Sequence, residues 1–395
     1  MRVIVNQSTA LGAKTGIGHY TFQVLRGVKE LAADDSFEVF PPTWWGKVQR
    51  LAVPLRPGSN QFEASTWKTA LSNRLRRLGE HTLNGYLRLA NWWKKYDLYH
   101  EPNSIPLPST IPTVATMHDL SALLHPQWHP ADRVRFFERG LESGLKQCRH
   151  LLAVSEFTRR EVIRVLNFPA ERISCTPLGV RPDLHPLPAE KVAPAVRHMG
   201  LPPQYLLFVG TLEPRKNPLL LMRAYCDLPA AVRERCPLVL AGSWGWNAGE
   251  FAAYYQDEAR RRGVVHLGYV PDQDLAAIYG AARALVFPSF YEGFGLPPLE
   301  MMACGGAVLA STAASVVEVV GRKAHLLAPD DFAGWRDAMR RVIVDDDWHA
   351  ALRSGVTDLA REFSWQRCAR QTLQVYRSVV GCPAAQEPML QPRAA

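Results

Sequence analysis

Short apolar runs alternate with helix-patterned stretches along nearly the whole chain, and the alternation occurs twice, on either side of a proline-rich interruption. Before the interruption, Val3-Ile4-Val5 precedes a helix-like stretch from Tyr20 to Leu31. Thr113 to Thr116 then reads as a buried strand ending at Met117-His118-Asp119, and Arg133 to Gln147 as an amphipathic helix. Leu151 to Val154 is a further strand, Ser155 stands where an N-cap belongs ahead of Glu156 to Leu166, and Ile173 to Thr176 closes the half. After it come strands at Tyr205 to Val209, Leu238 to Ala241, Val264 to Leu267, Ala284 to Phe287 and Ala307 to Ala310, with helices in the gaps. Such a pattern specifies an α/β fold with parallel sheets covered on both faces, whose ligand crevice lies at the carboxyl ends of the strands.

The interruption, from Arg181 to Gln204, holds Pro182, Pro186, Pro188, Pro194, Pro202 and Pro203, which suits a linker better than a strand or long helix. The expected organisation is therefore a domain over 1–180, a linker over 181–204 and a second domain over 205–363. Trp365, Cys368, Leu373, Tyr376 and Val380 recur at helical spacing, so 364–380 is expected to be a packed helix, and 383–395 a disordered tail. At 395 residues, the chain exceeds the roughly 100 to 200 residues that one core usually organises, which agrees with two domains.

Composition excludes several classes. No apolar run approaches the roughly 18 residues of a membrane span, and the polar start is unlike a signal peptide, so a cytoplasmic protein is expected. Seven cysteines, odd in number and without CxxC spacing, argue against a disulfide framework or a zinc site. His125 and His129 are followed by Pro126 and Pro130, which break the helix that a metal pair would need, so no metal and no cofactor are expected. Asp345-Asp-Asp347 lies between helices, away from any strand end, and reads as solvated.

The chemistry concentrates in two loops. Pro288-Ser-Phe-Tyr-Glu-Gly-Phe-Gly-Leu-Pro-Pro-Leu-Glu300 follows the strand Ala284 to Phe287 and opens a helix near Leu296. Gly293 and Gly295 allow backbone N–H groups close to a ligand, and the helix start favours an anion such as a pyrophosphate. Glu292 and Glu300 would repel phosphate, so hydroxyls are their natural partners, and a sugar nucleotide offers both kinds of group. Phe208-Val-Gly-Thr-Leu-Glu-Pro-Arg-Lys-Asn217 follows the first strand of the second half and brings Arg215 and Lys216 to the cleft, where cations can neutralise a diphosphate leaving group.

Together these residues resemble the Glu-x7-Glu signature of retaining nucleotide-sugar glycosyltransferases of family 4, which have the GT-B fold of two facing Rossmann-like domains. The resemblance covers nearly the whole chain, most closely 205–330. It implies a metal-independent hexosyl transfer from a nucleotide-sugar donor, with Glu292, Arg215, Lys216 and His118 at the reacting centre. Phe294, Leu296, Gly210 and Thr211 join the glycines and Glu300 at the donor; many relatives carry arginine where this chain has Thr211. Thr15-Gly-Ile-Gly-His-Tyr20 resembles the glycine loop brought to the donor phosphates, assigning Gly16 and Gly18 to the donor. The absent third glycine and the distance from Asn6 exclude a dinucleotide fingerprint. Gly268-Tyr-Val-Pro-Asp272 looks like the base-binding turn, with Tyr269 and Val270 reading the base and Asp272 capping the next helix. Ser155-Glu-Phe-Thr158 matches a recurrent cleft motif, although an N-cap explains Ser155 equally well. Overall resemblance to bacterial mannosyltransferases of surface polysaccharide synthesis points to GDP-mannose.

The basic charge is unevenly placed, with ten Lys or Arg between 44 and 95 against only Glu63 and Glu80. Within 74–95, Arg74, Arg76, Arg77, Arg88, Lys94 and Lys95 are interleaved with Leu75, Leu78, Tyr86, Trp92 and Trp93, which suits either an anionic membrane surface or a helix packed on its own domain. On the membrane reading the acceptor is a lipid-linked saccharide. No nucleic-acid motif accompanies the charge. A nucleotide-sugar epimerase of the same architecture and a silent sugar-nucleotide binder remain as alternatives.

Overall fold

The computed structural model describes residues 1–11, 16–42 and 82–381. Thr15, the basic residues between 44 and 81, Cys382 and the tail expected to be disordered lie outside these.

Strands β1 (Arg2–Asn6), β2 (Ser36–Phe40), β3 (Leu98–Glu101), β4 (Thr113–Met117), β5 (Cys148–Ala153) and β6 (Ile173–Cys175) form a parallel sheet in the order β2-β1-β3-β4-β5-β6. A second parallel sheet contains β7 (Tyr205–Val209), β8 (Leu238–Ala241), β9 (Val264–Gly268), β10 (Ala282–Phe287), β11 (Ala307–Ser311) and β12 (His325–Leu327), ordered β12-β11-β10-β7-β8-β9. Helices cover both faces of each sheet, so strands such as LYHE, TVATM and AVLAS are buried at every position rather than alternating.

In the second sheet the chain runs outward from β7 through β8 to β9, then returns to the other side of β7 for β10. That reversal is a topological switch point, where the loops after β7 and β10 diverge and leave a crevice. Those two loops carry Arg215, Lys216 and Glu292, and the helix Leu296–Ala303 after the second carries Glu300.

The proline-rich stretch holds a helix that its composition did not suggest. Ala189–His198 follows Pro188 and keeps Pro194 inside it. Pro194 lies on the exposed face, where water can satisfy the carbonyl that loses its N–H partner, while Val196 is buried. The helix packs on Asp272–Ala281, and a Cβ at Gly280 would stand 3.1 Å from Val192. Burial of one apolar face outweighs the proline penalty.

The C-terminal helix Trp365–Val380 returns to the first sheet. Gly27 on helix Gly16–Leu31 has no room for a side chain there, since its Cβ would meet Ala369 Cβ at 2.5 Å. The Tyr376 hydroxyl bonds His100 Nδ1 at 2.6 Å, and His100 Nε2 lies 2.9 Å from Thr116 Oγ1, so the helix is keyed to β3 and β4. The two crossings between the sheets lie side by side, with Val180 bridged to Ser364.

Candidate active site

Local sequence explains how each cation reaches the crevice. After β7 the segment Pro214–Lys216 makes one tight helical turn, and Asn217 ends it in the left-handed conformation with φ 57°. Pro218 then opens the helix Pro218–Cys226, its fixed φ suiting that place. Arg215 and Lys216 are thereby turned inward, and Lys216 is only 8% exposed. Gly210, at φ 142°, lies beneath the Lys216 side chain, and a Cβ there would stand 3.3 Å from it. After β10, Gly295 takes φ 108° as the N-cap of helix Leu296–Ala303, a conformation that a side chain would strain.

Glu292 sits between the two cations and is 7% exposed. Its Oε2 accepts from Arg215 Nη1 at 2.7 Å, and its Oε1 from Lys216 Nζ at 2.6 Å and Ser289 Oγ at 2.9 Å. Its backbone carbonyl accepts from Ser315 Oγ at 2.5 Å. Burial would raise the carboxyl pKa, but Arg215 and Lys216 outweigh it and hold it below the usual range. Arg215 also reaches Glu213 Oε1 at 2.5 Å. Across the cleft, Asp119 is likewise lowered despite burial, mainly by Arg215, and accepts from Ser121 N and Oγ at 2.9 and 2.6 Å. The two cations are thus already matched by Glu292, Glu213 and Asp119, so any anion entering the crevice would have to compete for them.

Glu300 has different company. Tyr279 donates to its Oε2 at 2.8 Å, and Arg181 Nε stands 3.5 Å from its Oε1. Burial raises its pKa, and Arg181 compensates only in part, because Asp183 and Asp272 share that cation. Asp272 was expected to cap its helix, but it does not. The N-cap is Pro271 with no side-chain bond, and the Asp272 carboxylate pairs instead with Arg181 at 3.1 Å and with His19 of the first domain at 3.3 Å.

The first-domain residues divide. His118 is at the cleft, its Nε2 donating to the Pro102 carbonyl at 2.7 Å and its ring edge-on to Tyr20 at 5.0 Å. Burial keeps the imidazole neutral, leaving Nδ1 as an acceptor. Gly16 and Gly18 are not in a loop, because the helix Gly16–Leu31 already begins at Gly16. Gly18 packs against the preceding turn, and a Cβ there would lie 2.6 Å from the Thr9 carbonyl. A Cβ at Gly16 would come within 3.9 Å of Leu296, so the starts of helices Gly16–Leu31 and Leu296–Ala303 meet, and the positive ends of their dipoles favour an anion there. Ser155 does both things considered for it, accepting from Thr158 N at 3.0 Å as an N-cap and donating to the Gly293 carbonyl at 2.7 Å.

Phe294 is buried. Thr211 turns its methyl toward Gly245, where a Cβ would approach it to 2.8 Å. Gly268 ends β9 at φ 70°, and Tyr269 and Val270 follow it, with Tyr269 exposed. Among the described residues, no group of three or more His, Cys, Asp or Glu could hold a metal ion. Asp345 caps helix Asp346–Arg353, and Asp346 pairs with Arg283 at 2.5 Å. Sequence reasoning missed Asp119, Glu213, Arg181 and Gly242, which has no space for a Cβ within 1.9 Å of the Gly210 carbonyl. Asp119 and Glu213 stood inside quoted motifs, whereas nothing near Arg181 in sequence names its partners.

The family model for glycosyl transferases group 1 matches residues 198–356, and that for glycosyltransferase family 4 matches 45–184. O-antigen chain mannosyltransferase B of Escherichia coli is 40% identical over 287 residues, covering 72% of this chain and 75% of that protein. The serotype-specific mannosyltransferase WbdA of Escherichia coli is 30% identical over 65% of this chain, which spans only 32% of WbdA. Among solved structures, Anabaena Alr3699/HepE in complex with UDP and glucose superposes with TM-score 0.70 at 17% identity, covering 96% of this chain and all of that one. Sucrose-phosphate synthase from Thermosynechococcus elongatus gives TM-score 0.72 at 19% identity, covering 96% of this chain and 99% of that one.

Proposed function

The chain belongs to the group 1, family 4 glycosyltransferases, and on that premise we propose that it moves mannose from GDP-mannose to a saccharide acceptor, with retention at the anomeric carbon and without a metal. The observation that carries this reading is the carboxylate of Glu292 held between Arg215 and Lys216 at the switch point of the second sheet. With the donor pyrophosphate on the meeting helix starts, Lys216 and Arg215 offset the charge that develops as the glycosidic bond breaks. Glu292 then accepts hydrogen bonds from sugar hydroxyls, and Glu300 from the ribose. Without an enzymic nucleophile in the reading, the acceptor attacks on the face from which the diphosphate leaves, and a departing phosphate oxygen takes its proton.

Mannose is supported by the named activities of the two Escherichia coli relatives above, both mannosyltransferases. A thermal-shift screen tests the donor, since a ligand that binds only the folded state raises its melting temperature. GDP-mannose is expected to give the largest shift, and undiminished transfer in EDTA is expected of a metal-free reaction. A larger shift with a UDP-sugar would replace the proposed donor.

We further propose that helix 82–94 rests on an anionic membrane, which would bring a lipid-linked acceptor to the cleft. Trp92 and Trp93 are 74% and 77% exposed, next to exposed Leu89, Arg88 and Lys95. No described helix is long and apolar enough to cross a membrane, so contact would be peripheral. Flotation with phosphatidylglycerol vesicles is expected to carry the protein at low salt and lose it with Trp92→Ser/Trp93→Ser. Equal flotation of both proteins would remove the helix from the account.

A further inference from the structure

Residues 290–293 continue the second sheet in sequence, yet the first domain holds them. The Phe290 ring stacks on Trp128 at 5.8 Å. Tyr291 is buried between the rings of Phe157 at 5.7 Å and His125 at 5.5 Å, both edge-on. Its hydroxyl donates to Glu161 Oε2, on helix Glu156–Leu166, and accepts from the Leu120 N–H at 3.2 Å. The Gly293 carbonyl accepts from Ser155 Oγ at 2.7 Å and Thr158 Oγ1 at 3.1 Å.

The same loop frames the charged centre. The Tyr291 carbonyl accepts from Arg215 Nη1 at 3.1 Å, and that nitrogen also holds Glu292 at 2.7 Å. Moving Tyr291 out of its socket therefore displaces the backbone that carries Glu292 and removes one of the bonds that orient Arg215. Burial and the carboxylates of Asp119 and Glu161 raise the Tyr291 phenol well above its ordinary pKa, so it remains a donor at any working pH.

We propose that Tyr291 is a positioning residue whose docking between Glu161 and Leu120 couples closure of the two domains to the placement of Glu292 and Arg215. The inference rests on the reading of this crevice as the transfer site. Its chemistry demands a hydroxyl on the ring and a hydrogen-bond acceptor at 161. An apolar side chain at either position breaks the link while leaving most of the packing in place.

The test compares Tyr291→Phe, Glu161→Leu and Glu161→Gln with the unaltered chain. Steady-state kcat and KM are measured with GDP-mannose and a mannoside acceptor, GDP affinity by calorimetry, and the radius of gyration by small-angle scattering without ligand. Tyr291→Phe and Glu161→Leu are expected to lower kcat by about tenfold or more, with GDP affinity within about twofold. Both are expected to enlarge the radius of gyration, and Glu161→Gln, which keeps an acceptor oxygen, is expected to recover most of the kcat. Unchanged kcat in both apolar variants, or GDP affinity falling in step with kcat, would overturn the proposal. If one of them fails to fold, the other makes the same comparison from the opposite domain. A wild-type chain that transfers no mannose would refute the functional reading instead, and the scattering alone would then decide, an unchanged radius in the apolar variants ending the coupling.

Discussion

Glu292 and Glu300 begin and end one loop-to-helix stretch, are both largely withdrawn from water, and have opposite electrostatic surroundings. Glu292 faces two cations, Lys216 and Arg215, and is held ionised below the ordinary carboxylate range. Glu300 faces one cation shared with Asp272 and Asp183, and its pKa is raised. Identical side chains in one motif are thus set for different tasks, because the pairing rather than the burial decides the sign of the shift. The cationic loop after β7 reaches the first glutamate, and the crossing between the domains reaches the second through Arg181.

Glu292→Gln should break the comparison hardest. It removes the charge that Arg215 and Lys216 are set around, so transfer is expected to fall by roughly 100- to 1000-fold. Because it also removes the carboxylate partner of Lys216 and one of those of Arg215, calorimetry should show GDP bound no more weakly than by the wild type; weaker binding would mean that Glu292 supports the nucleotide directly. Gly293→Ala comes next. Its Cβ would lie 1.7 Å from the His118 carbonyl, backbone against backbone, so the domains must part. A displacement on the order of 1 Å can cost about 100-fold in rate, and that is the loss expected in kcat.

Glu300→Gln sharpens the other half. The donor KM is expected to rise about tenfold, the scale of a hydrogen bond to a charged group. The raised pKa means that the wild-type carboxylate forms only as pH climbs past the ordinary value, so donor affinity should weaken on acidification. That acid limb should vanish in Glu300→Gln and persist in Glu292→Gln, as read from KM against pH. The smallest effect concerns Glu101, a buried carboxyl whose donors, Tyr99, Asn6 and the Asn103 N–H, are all neutral, and which burial pushes up to about 7. Its contribution to stability is complete below the unfolded value of 4.5 and is lost as pH rises through the folded one. In thermal melts, the wild type's advantage over Glu101→Gln should therefore shrink between about pH 5 and about pH 8.

The strands were legible because a sheet buried on both faces writes itself as short apolar runs, as in TVATM and AVLAS. The loops of the candidate site were legible because glycines, prolines and charges cluster at strand ends. Partners far apart in the chain were not. Nothing near Tyr291 points to Glu161, and nothing near Asp272 points to Arg181 and His19 rather than to its own helix end. The helix Ala189–His198 was hidden by Pro188 and Pro194, since its support comes from a face packed on a helix many residues away. Gly16 and Gly18 read as a loop, whereas they lie in the first turn of a helix, with Gly18 packed on Thr9.

Retention is the central claim, and the anomeric configuration of the product tests it most directly. The chain is incubated with GDP-mannose, in which mannose is α-linked, and a mannoside acceptor, and the new linkage is read from the one-bond C1–H1 coupling by NMR. An α-linked mannose that is lost in Glu292→Gln is the predicted result. A β-linked product would contradict the account.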